Sequence, residues 1–279
     1  MGGSKPGILI LEDNYLTADA LSDLARAHGY DVVAAVGHVD SAFQFLKDNH
    51  VDGGAVERPT RGHLGNSLLD GLAEPAFRIL EPKLERVTLA QGRVLHAARQ
   101  PIAHVYFPVR GLVSLMARDR RGRRLEIGLV GRDGMVGATE LLANGGPAVT
   151  EAVVQFAGEA WRVPTAELVS LMRLNLTLRT DLLRYVHALT EEMVQIALAT
   201  GHGTIDQRVA RWLLAAGVRS DSRHLEVTHE HLSRVLAVRR SGITVALHVL
   251  EGLGTIRSHR RRIEIIDRAA LQRAADGLV

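Results

Sequence analysis

The stretch VTHEHLSRVLAVRRSGITVALHVLEGLGTIRSHRRRIEII, residues 227–266, contains two helical patterns followed by a basic hairpin. Thr228 is a suitable N-cap for the first helix, and a turn over 237–239 separates it from a second helix that begins near residue 240. The apolar positions of the two helices recur at offsets of three and four and are Leu232, Val235, Leu236, Ile243, Ala246, Leu247 and Leu250. Gly252 and Gly254 end the second helix. The pattern therefore predicts helix, turn, helix and hairpin.

Two short strands, 255–257 and 262–266, flank the turn of the hairpin at 258–261. A helix pair of this kind places its second helix in the major groove of DNA, with the first residues at the base edges. Residues 201–279 contain thirteen Arg and eight Asp or Glu. A solvated surface would mix the two signs, whereas these arginines cluster, which favours phosphate contact. The predicted DNA contacts are Arg239, Arg240, Ser241, Thr244, His248, Arg257, Arg260 and Arg261.

Composition excludes several other classes of protein. The 279 residues contain no cysteine, which excludes disulfides, cysteine-ligated zinc and iron–sulfur clusters. The N-terminal apolar run is too short for a signal peptide, and no run of about 18 apolar residues predicts a membrane span. We therefore expect a soluble, cytoplasmic protein without a cofactor, a metal site or a membrane partner. It lacks a nucleophile elbow, a phosphate loop and an HExxH motif, so an enzyme is not expected.

Residues 1–57 form an acidic segment, with three Lys or Arg against nine Asp or Glu. Apolar strands at 8–11, 32–36 and 51–56 alternate with helical patterns, which predicts a βαβαβ unit with a parallel sheet. The segment resembles the first half of a receiver domain. In that resemblance Glu12 and Asp13 match the magnesium-binding acidic pair, and Glu57 replaces the phosphate-accepting Asp. Because Glu57 is longer and the last two strands of the family are missing, we expect a degenerate, truncated receiver that serves as a packing module.

Residues 58–67 have the composition of a linker, and 68–164 contain many short β segments separated by glycines. This pattern predicts a β sandwich or jelly roll. A helical region follows over 165–201, with apolar residues at heptad spacing. We interpret these residues as the seam of a homodimer: Leu182, Val186, Leu189, Met193 and Ile196. A hinge at 201–203 then leads to the DNA-binding domain, residues 202–279.

Jelly roll, long helix and winged helix-turn-helix in this order resemble the Crp/Fnr family of transcription regulators. The resemblance extends from about residue 68 to the C-terminus and is most specific in FPVRGLVSL (107–115), LVGRDGMVG (129–137) and RVARWLL (208–214). It implies a multidomain α+β protein that binds double-stranded DNA as a homodimer and acts with RNA polymerase. Arg240 matches the family's guanine-reading Arg. Ser241 and Val245 replace a Glu and an Arg of the best-known members, so a different target sequence is expected.

The effector of the jelly roll is not indicated by the sequence. Members that bind cyclic nucleotides use an Arg-Ser pair for the phosphate, whereas this chain has Thr150-Glu151 and no Arg between Asp133 and Trp161. A carboxylate repels a phosphate, so cyclic nucleotide binding is not expected. Haem ligation by His96 or His104 is less favoured than a structural role for either. The alternative function is a phosphorelay response regulator whose head controls DNA binding.

Overall fold

A computed structural model of the chain describes residues 7–11, 31–36, 53–54 and 64–277. The chain forms two compact units, residues 1–59 and residues 60–279. The first contains three parallel strands, β1 (Gly7–Leu11), β2 (Asp31–Val36) and β3 (Gly53–Gly54), in the order β2-β1-β3. Parallel neighbours require crossover connections. A receiver-like fold for this segment stays a prediction. Three predicted receiver positions lie outside the described residues: Glu12, Asp13 and Glu57.

The second unit begins with the short helices α1 (Ser67–Asp70) and α2 (Glu74–Leu80) and a 3₁₀ turn (Glu81–Lys83). Its antiparallel sheet consists of β4 (Glu85–Leu89), β5 (Val94–His96), β6 (His104–Arg118), β7 (Arg124–Val130) and β8 (Glu151–Pro164). The helices of this region are α3 (Ala138–Leu142), α4 (Thr165–Leu174) and α5 (Leu176–His202).

The sheet has the order β4-β8-β6-β7, and β5 also pairs with β8. β6 and β8 each replace two shorter predicted strands, because the glycines that suggested strand ends are bends within continuous strands. Gly111 has φ +90°, and the pairing of β6 with β8 shifts register between Pro108 and Val113. Such irregularities bend a strand without ending it. The two long strands therefore curve and form the body of the jelly roll.

The packing of the long helix α5 contradicts the predicted dimer seam for most of its residues. Leu182, Val186 and Leu189 are buried in the same hydrophobic core as the jelly roll of their own chain. Met193 packs against that core, and Ile196 lines a cavity beside the DNA-binding region. Heptad spacing specifies an apolar stripe but does not identify what covers it. Three of the five predicted seam residues, Leu182, Val186 and Leu189, are thus covered within the monomer, whereas Met193 and Ile196 are half-buried and their role in a dimer stays a prediction.

A neighbouring face of α5, one residue further along and so about 100° around the helix from the buried stripe, carries a second stripe at spacings of four and three. Its members are exposed or half-buried: Leu176, Thr180, Leu183, His187, Thr190, Val194, Ala197 and Gly201. Leu176 is 73% exposed and Val194 is 52% exposed, and the two lie on the same stripe. This outward stripe of α5 is the apolar face that the jelly roll leaves uncovered.

The C-terminal region, which the sequence predicts to bind DNA and which is called the DNA-binding region for that reason, consists of α6 (Ile205–Arg219), β9 (His224–Leu225), α7 (His229–Val235), α8 (Arg240–Gly252), β10 (Ile256–His259), β11 (Arg262–Ile265) and α9 (Arg268–Asp276). Its hydrophobic core also includes Leu112 and Leu129 of the jelly-roll sheet. The predicted hinge is shifted, because α5 continues through Gly201 to His202. A capping box between Thr204 and Gln207 then begins α6. No helix among the described residues is long and apolar enough to cross a membrane.

Candidate nucleic-acid interface

The turn between α7 and α8 lies at the predicted position. Thr228 caps α7 by accepting a hydrogen bond of 3.1 Å from the backbone N of His231. Ala237 has φ +51°, and the turn closes with two bonds between Ser233 and Val238. The Ser233 Oγ donates to the Val238 carbonyl at 2.6 Å, and the Val238 amide donates to the Ser233 carbonyl at 3.0 Å. The angle between the two helices is therefore fixed locally.

One face of α8 anchors the helix to the domain. The four apolar residues expected on this face are buried: Ile243, Ala246, Leu247 and Leu250. Gly242 allows close packing, because a Cβ there would lie 2.9 Å from the Cδ1 of Ile205 on α6. The helix ends at Gly252, and Gly254 has φ +70°. α8 is thus held along its inner side, and its outer side is exposed.

The outer side of α8 combines cations with small polar and apolar groups. Its exposed residues are Arg240, Ser241, Val245, His248 and Val249, and Arg239 precedes them as the N-cap. Val245 is 63% exposed and is therefore not part of the core. Val249 was not predicted to belong to this face, although its offset of four from Val245 would have indicated it.

Thr244 is held from both sides. Its Oγ1 donates to the carbonyl of Arg240 at 3.1 Å and lies 3.0 Å from the Nδ1 of His229. Because the hydroxyl hydrogen is used on Arg240, the imidazole N–H donates to Thr244. Burial, followed by the charges of Arg240 and His248, lowers the pKa of His229. A neutral His229 thus orients a residue of the exposed helix face.

His231 packs inside the domain. Its ring lies 5.7 Å from that of Trp212, edge to face, and burial lowers its pKa to about 4, with a smaller effect of Arg234. His229 is engaged with Thr244. The described part of the chain contains no group of three metal-ligating side chains. The two histidines of the His229-Glu230-His231 sequence therefore have packing and positioning roles.

The hairpin β10–β11 presents three predicted contacts at or near its tip. Strand pairing runs from Ile256 opposite Ile265 to His259 opposite Arg262, which leaves Arg260 and Arg261 as the exposed two-residue turn. Arg257 is also exposed. The hairpin is tied to α8 by a 2.8 Å bond from the backbone N of Ser258 to Glu251.

Five arginines of this surface have no carboxylate within ion-pair distance in residues 64–277. They are Arg239, Arg240, Arg257, Arg260 and Arg261. By contrast, Arg234 on the neighbouring helix pairs with Glu230 at 3.4 Å. Unpaired guanidinium groups on an exposed face attract polyanions such as the DNA backbone. α8 and the hairpin together form the candidate interface.

A buried carboxyl connects the jelly roll to the DNA-binding region. Glu126 on β7 is only 6% exposed, and one of its oxygens accepts a 2.6 Å hydrogen bond from the Nε1 of Trp212 on α6. Its other oxygen accepts a hydrogen bond from the hydroxyl of Ser114. Burial raises the pKa of Glu126 to about 7, although both hydrogen bonds oppose the shift. The sequence contained no local signal for this contact.

Arg219, in the last turn of α6, makes a second connection. It lies 2.6 Å from a carboxylate oxygen of Glu192 on α5 and 3.2 Å from one of Asp133 in the loop after β7. Its side chain is 15% exposed, so the ion pairs are partly shielded from water. α6 is thus attached to both the jelly roll and the long helix.

The phosphate region of the jelly roll is acidic. Thr150 and Glu151 are buried, as is Glu140, whose carboxylate accepts a 3.1 Å hydrogen bond from the amide of Val149. Glu151 pairs with Arg124 at 3.1 Å. Two buried carboxylates therefore occupy the region where the family resemblance would place a phosphate.

His96 and His104, the two histidines considered as haem ligands, lie on different strands. Burial lowers the pKa of His96, whereas the charges of Glu140 and Glu151 oppose this effect. His104 packs its ring 6.3 Å from that of Tyr106. Both ring nitrogens of His96 are buried without a hydrogen-bond partner among the described residues. The structural role that the sequence favours for each histidine stays a prediction.

Comparison with known proteins identifies two domains. Residues 86–175 match the model of the cyclic nucleotide-binding domain, and residues 207–274 match the model of the Crp-like helix-turn-helix domain. Neither match includes the first unit. A search of curated proteins found no match.

Several solved structures share the fold. FixK2 from Bradyrhizobium japonicum is 18% identical, with a TM-score of 0.59, over 68% of this chain and 96% of that protein. A crp/fnr-family regulator from Eubacterium rectale is 16% identical, with a TM-score of 0.59, over 76% of this chain and 99% of that one. A CRP/FNR-family regulator from Thermus thermophilus is 24% identical, with a TM-score of 0.55, over 69% and 98%. At these identities the similarity establishes the fold.

Proposed function

We propose that this chain, a Crp/Fnr-type transcription regulator with a cyclic-nucleotide-binding domain and a helix-turn-helix domain, binds specific duplex DNA sequences as a homodimer through α8. The observation that carries the proposal is the exposed face of α8, which begins at Arg240 and has no carboxylate partner among the described residues. The comparisons give no support to the alternative phosphorelay response regulator. We expect the first unit to serve as a packing module.

Three side chains on α8 have chemistry suited to base edges. Arg240, in the first turn, matches the two acceptors of guanine. Val245, which is 63% exposed, suits the methyl group of thymine. Thr244, oriented by His229, has a free lone pair and a methyl group one turn after Arg240. Because Val245 replaces a longer cationic side chain of other members, the preferred sequence should differ from theirs.

The remaining predicted contacts suit phosphates. Arg257, Arg260 and Arg261 are exposed on the hairpin, and His248 is exposed two turns into α8. Arginines and other hydrogen-bond donors in such positions fix the orientation of a protein on the duplex without reading sequence. Arg239 at the N-cap of α8 belongs to this group, because the helix N-terminus itself favours a nearby anion.

Dimerisation is proposed through the outward stripe of α5. Its exposed apolar residues, such as Leu176 and Val194, have no cover in the monomer. Pairing of two α5 helices along this stripe would bury them at coiled-coil spacing. The two copies of α8 would then meet two successive major grooves. We further propose a cytoplasmic protein that acts with RNA polymerase.

Selection from randomised duplex DNA tests the proposal. The full chain should enrich an inverted repeat whose half-sites lie about one helical turn apart, or a multiple of it. Enrichment of a single half-site would contradict the homodimer, and absence of any enriched sequence would contradict specific DNA recognition. Incubation with acetyl phosphate and magnesium should leave the protein unmodified, because the head is not expected to accept phosphate.

A further inference from the structure

A cavity of about 440 Å³ lies where α5, the jelly roll and the DNA-binding region meet. Ile196 and Ala199 of α5 form part of one wall, and Trp212 and Ala215 of α6 form part of another. Leu129 contributes from β7. The volume lies in the range of small-molecule sites, which are typically about 300–1,000 Å³ and mainly apolar. This junction cavity is separate from the acidic phosphate region of the jelly roll and from the DNA-binding face.

Two of the four arginines that line the junction cavity are already neutralised. Arg219 pairs with Glu192 and Asp133, as described above. Arg211 lies 3.8 Å from Asp276 and donates to a backbone carbonyl of α9. These pairs account for three of the acidic groups of the lining. The fourth acidic residue, Glu126, accepts hydrogen bonds from the side chains of Trp212 and Ser114.

The other two arginines, Arg208 and Arg268, have no acidic partner. Within the described ranges no carboxylate lies at ion-pair distance of either guanidinium. Arg208 donates to the backbone carbonyl of Leu236, and burial lowers its pKa. Arg208 is half-buried, whereas Arg268 is exposed and its guanidinium lies beside Gly217, near the other end of α6. A partly buried cation without an anion is unfavourable, so the site gains free energy when an anion enters beside Arg208.

We propose that the junction cavity binds an amphipathic carboxylate, with its acidic head at Arg208 and its apolar body between α5 and α6. The apolar walls provide desolvation for the body, and the guanidinium group of Arg208 selects a negative head over a neutral one. An occupant would contact α5 and α6 together, so its binding is linked to their arrangement. Any effect on DNA affinity rests on the proposed function, whereas binding itself does not.

Decanoate and decan-1-ol provide a matched pair of probes, because they share the apolar chain and differ in the head group. Calorimetric titration of the full chain, with decanoate kept below its micelle-forming concentration, should give saturable binding. The fluorescence of Trp212 should change at the same concentrations, because its indole lines the cavity. Decan-1-ol should bind at least about tenfold more weakly. No DNA is present, so failure here is distinct from failure of DNA recognition.

Three variants localise the binding. Arg208→Gln should weaken decanoate at least about tenfold and leave decan-1-ol unchanged, whereas Arg118→Gln, at an exposed arginine outside the cavity, should change neither. Ala199→Phe should block both probes by filling the cavity. If circular dichroism shows that Arg208→Gln is misfolded, the comparison of decanoate with decan-1-ol on the unmodified chain and the Ala199→Phe variant decide the proposal. Equal affinity for the two probes, no saturable binding of decanoate, or unchanged binding in the Arg208→Gln and Ala199→Phe variants overturns the proposal.

Discussion

The indole Nε1 of Trp212 donates a 2.6 Å hydrogen bond to the carboxyl of Glu126, across 86 residues of sequence. Trp212 lies on α6 and Glu126 lies on β7 of the jelly roll. A buried indole N–H without a partner would cost free energy, so the bond favours the observed seating of α6 on the sheet. The DNA-binding region is thereby attached to the jelly-roll sheet by a group that can take up a proton.

This carboxyl predicts a dependence of stability on pH. The folded pKa of Glu126 is raised from 4.5 to about 7, so its contribution is fully present below pH 4.5 and is lost as the pH rises through 7. Glu126→Gln retains a neutral amide that can accept from Trp212. Between pH 5 and 8 the parent should lose about 2–3 kcal/mol of unfolding free energy relative to this variant. Urea unfolding at a series of pH values measures the difference.

Glu226→Gln is the control for this experiment, because Glu226 is exposed. Its unfolding free energy should follow that of the parent at every pH. If the curves of Glu126→Gln and the parent were parallel, Glu126 would not titrate in this range.

Arg240→Ala tests base recognition by α8. The substitution should weaken the free energy of binding to the preferred site by about 1–3 kcal/mol. It should also reduce the preference for one base over the others at a single base pair. Anisotropy titrations against a panel of single-base variants of the selected site measure both effects. A uniform loss across the panel would show that Arg240 contacts the backbone instead.

Arg261→Ala tests phosphate contact by the hairpin. All sequences should be weakened about equally, and the slope of log affinity against log salt concentration should fall by roughly one unit. Arg118→Ala removes the same charge from an exposed position on the jelly roll and should leave the slope unchanged. A loss confined to the preferred sequence would assign Arg261 to base recognition.

Val194→Glu tests the outward stripe of α5. Like charges facing each other in a desolvated seam should convert the dimer to a monomer and lower operator affinity. Val149→Glu makes the same substitution on a side chain that is 75% exposed in a jelly-roll loop, and it should remain dimeric. Sedimentation velocity distinguishes the two. A dimeric Val194→Glu protein would place the interface elsewhere.

Cyclic AMP should bind only weakly, with a dissociation constant of about 1 mM or higher, because Glu140 and Glu151 lie buried in the phosphate region. Calorimetric titration measures this directly. Micromolar affinity would mean that the phosphate enters by a different set of contacts.

The helix-turn-helix could be predicted closely because its signals are local. The Thr228 cap, the turn at Ala237 and the apolar spacing of α8 each specify structure within a few residues. The jelly-roll strands were predicted too short, because Gly111 and Gly158 suggested strand ends. Whether a glycine bends or ends a strand depends on its pairing partner, which is distant in sequence.

Contacts between distant elements were outside the reach of sequence reasoning. The stripe of Leu182 and Leu189 was found correctly, but its packing partner was assigned to a second chain instead of the chain's own jelly roll. Glu126 and Trp212 have no spacing that relates them. The unpaired state of Arg208 likewise depends on which carboxylates the fold brings near it.

Arg219 has a consequence for genetics. It joins α6 to Glu192 and Asp133 and is not among the exposed residues of α8 or the hairpin. Replacing Arg219 would remove the ion pairs that attach α6 to Glu192 and Asp133, and it would leave every proposed DNA contact unchanged. In a screen for regulatory mutants, a substitution of Arg219 would therefore give the same phenotype as a substitution of a proposed DNA contact. A map of the DNA-binding surface drawn from phenotypes alone would then wrongly include this partly buried residue.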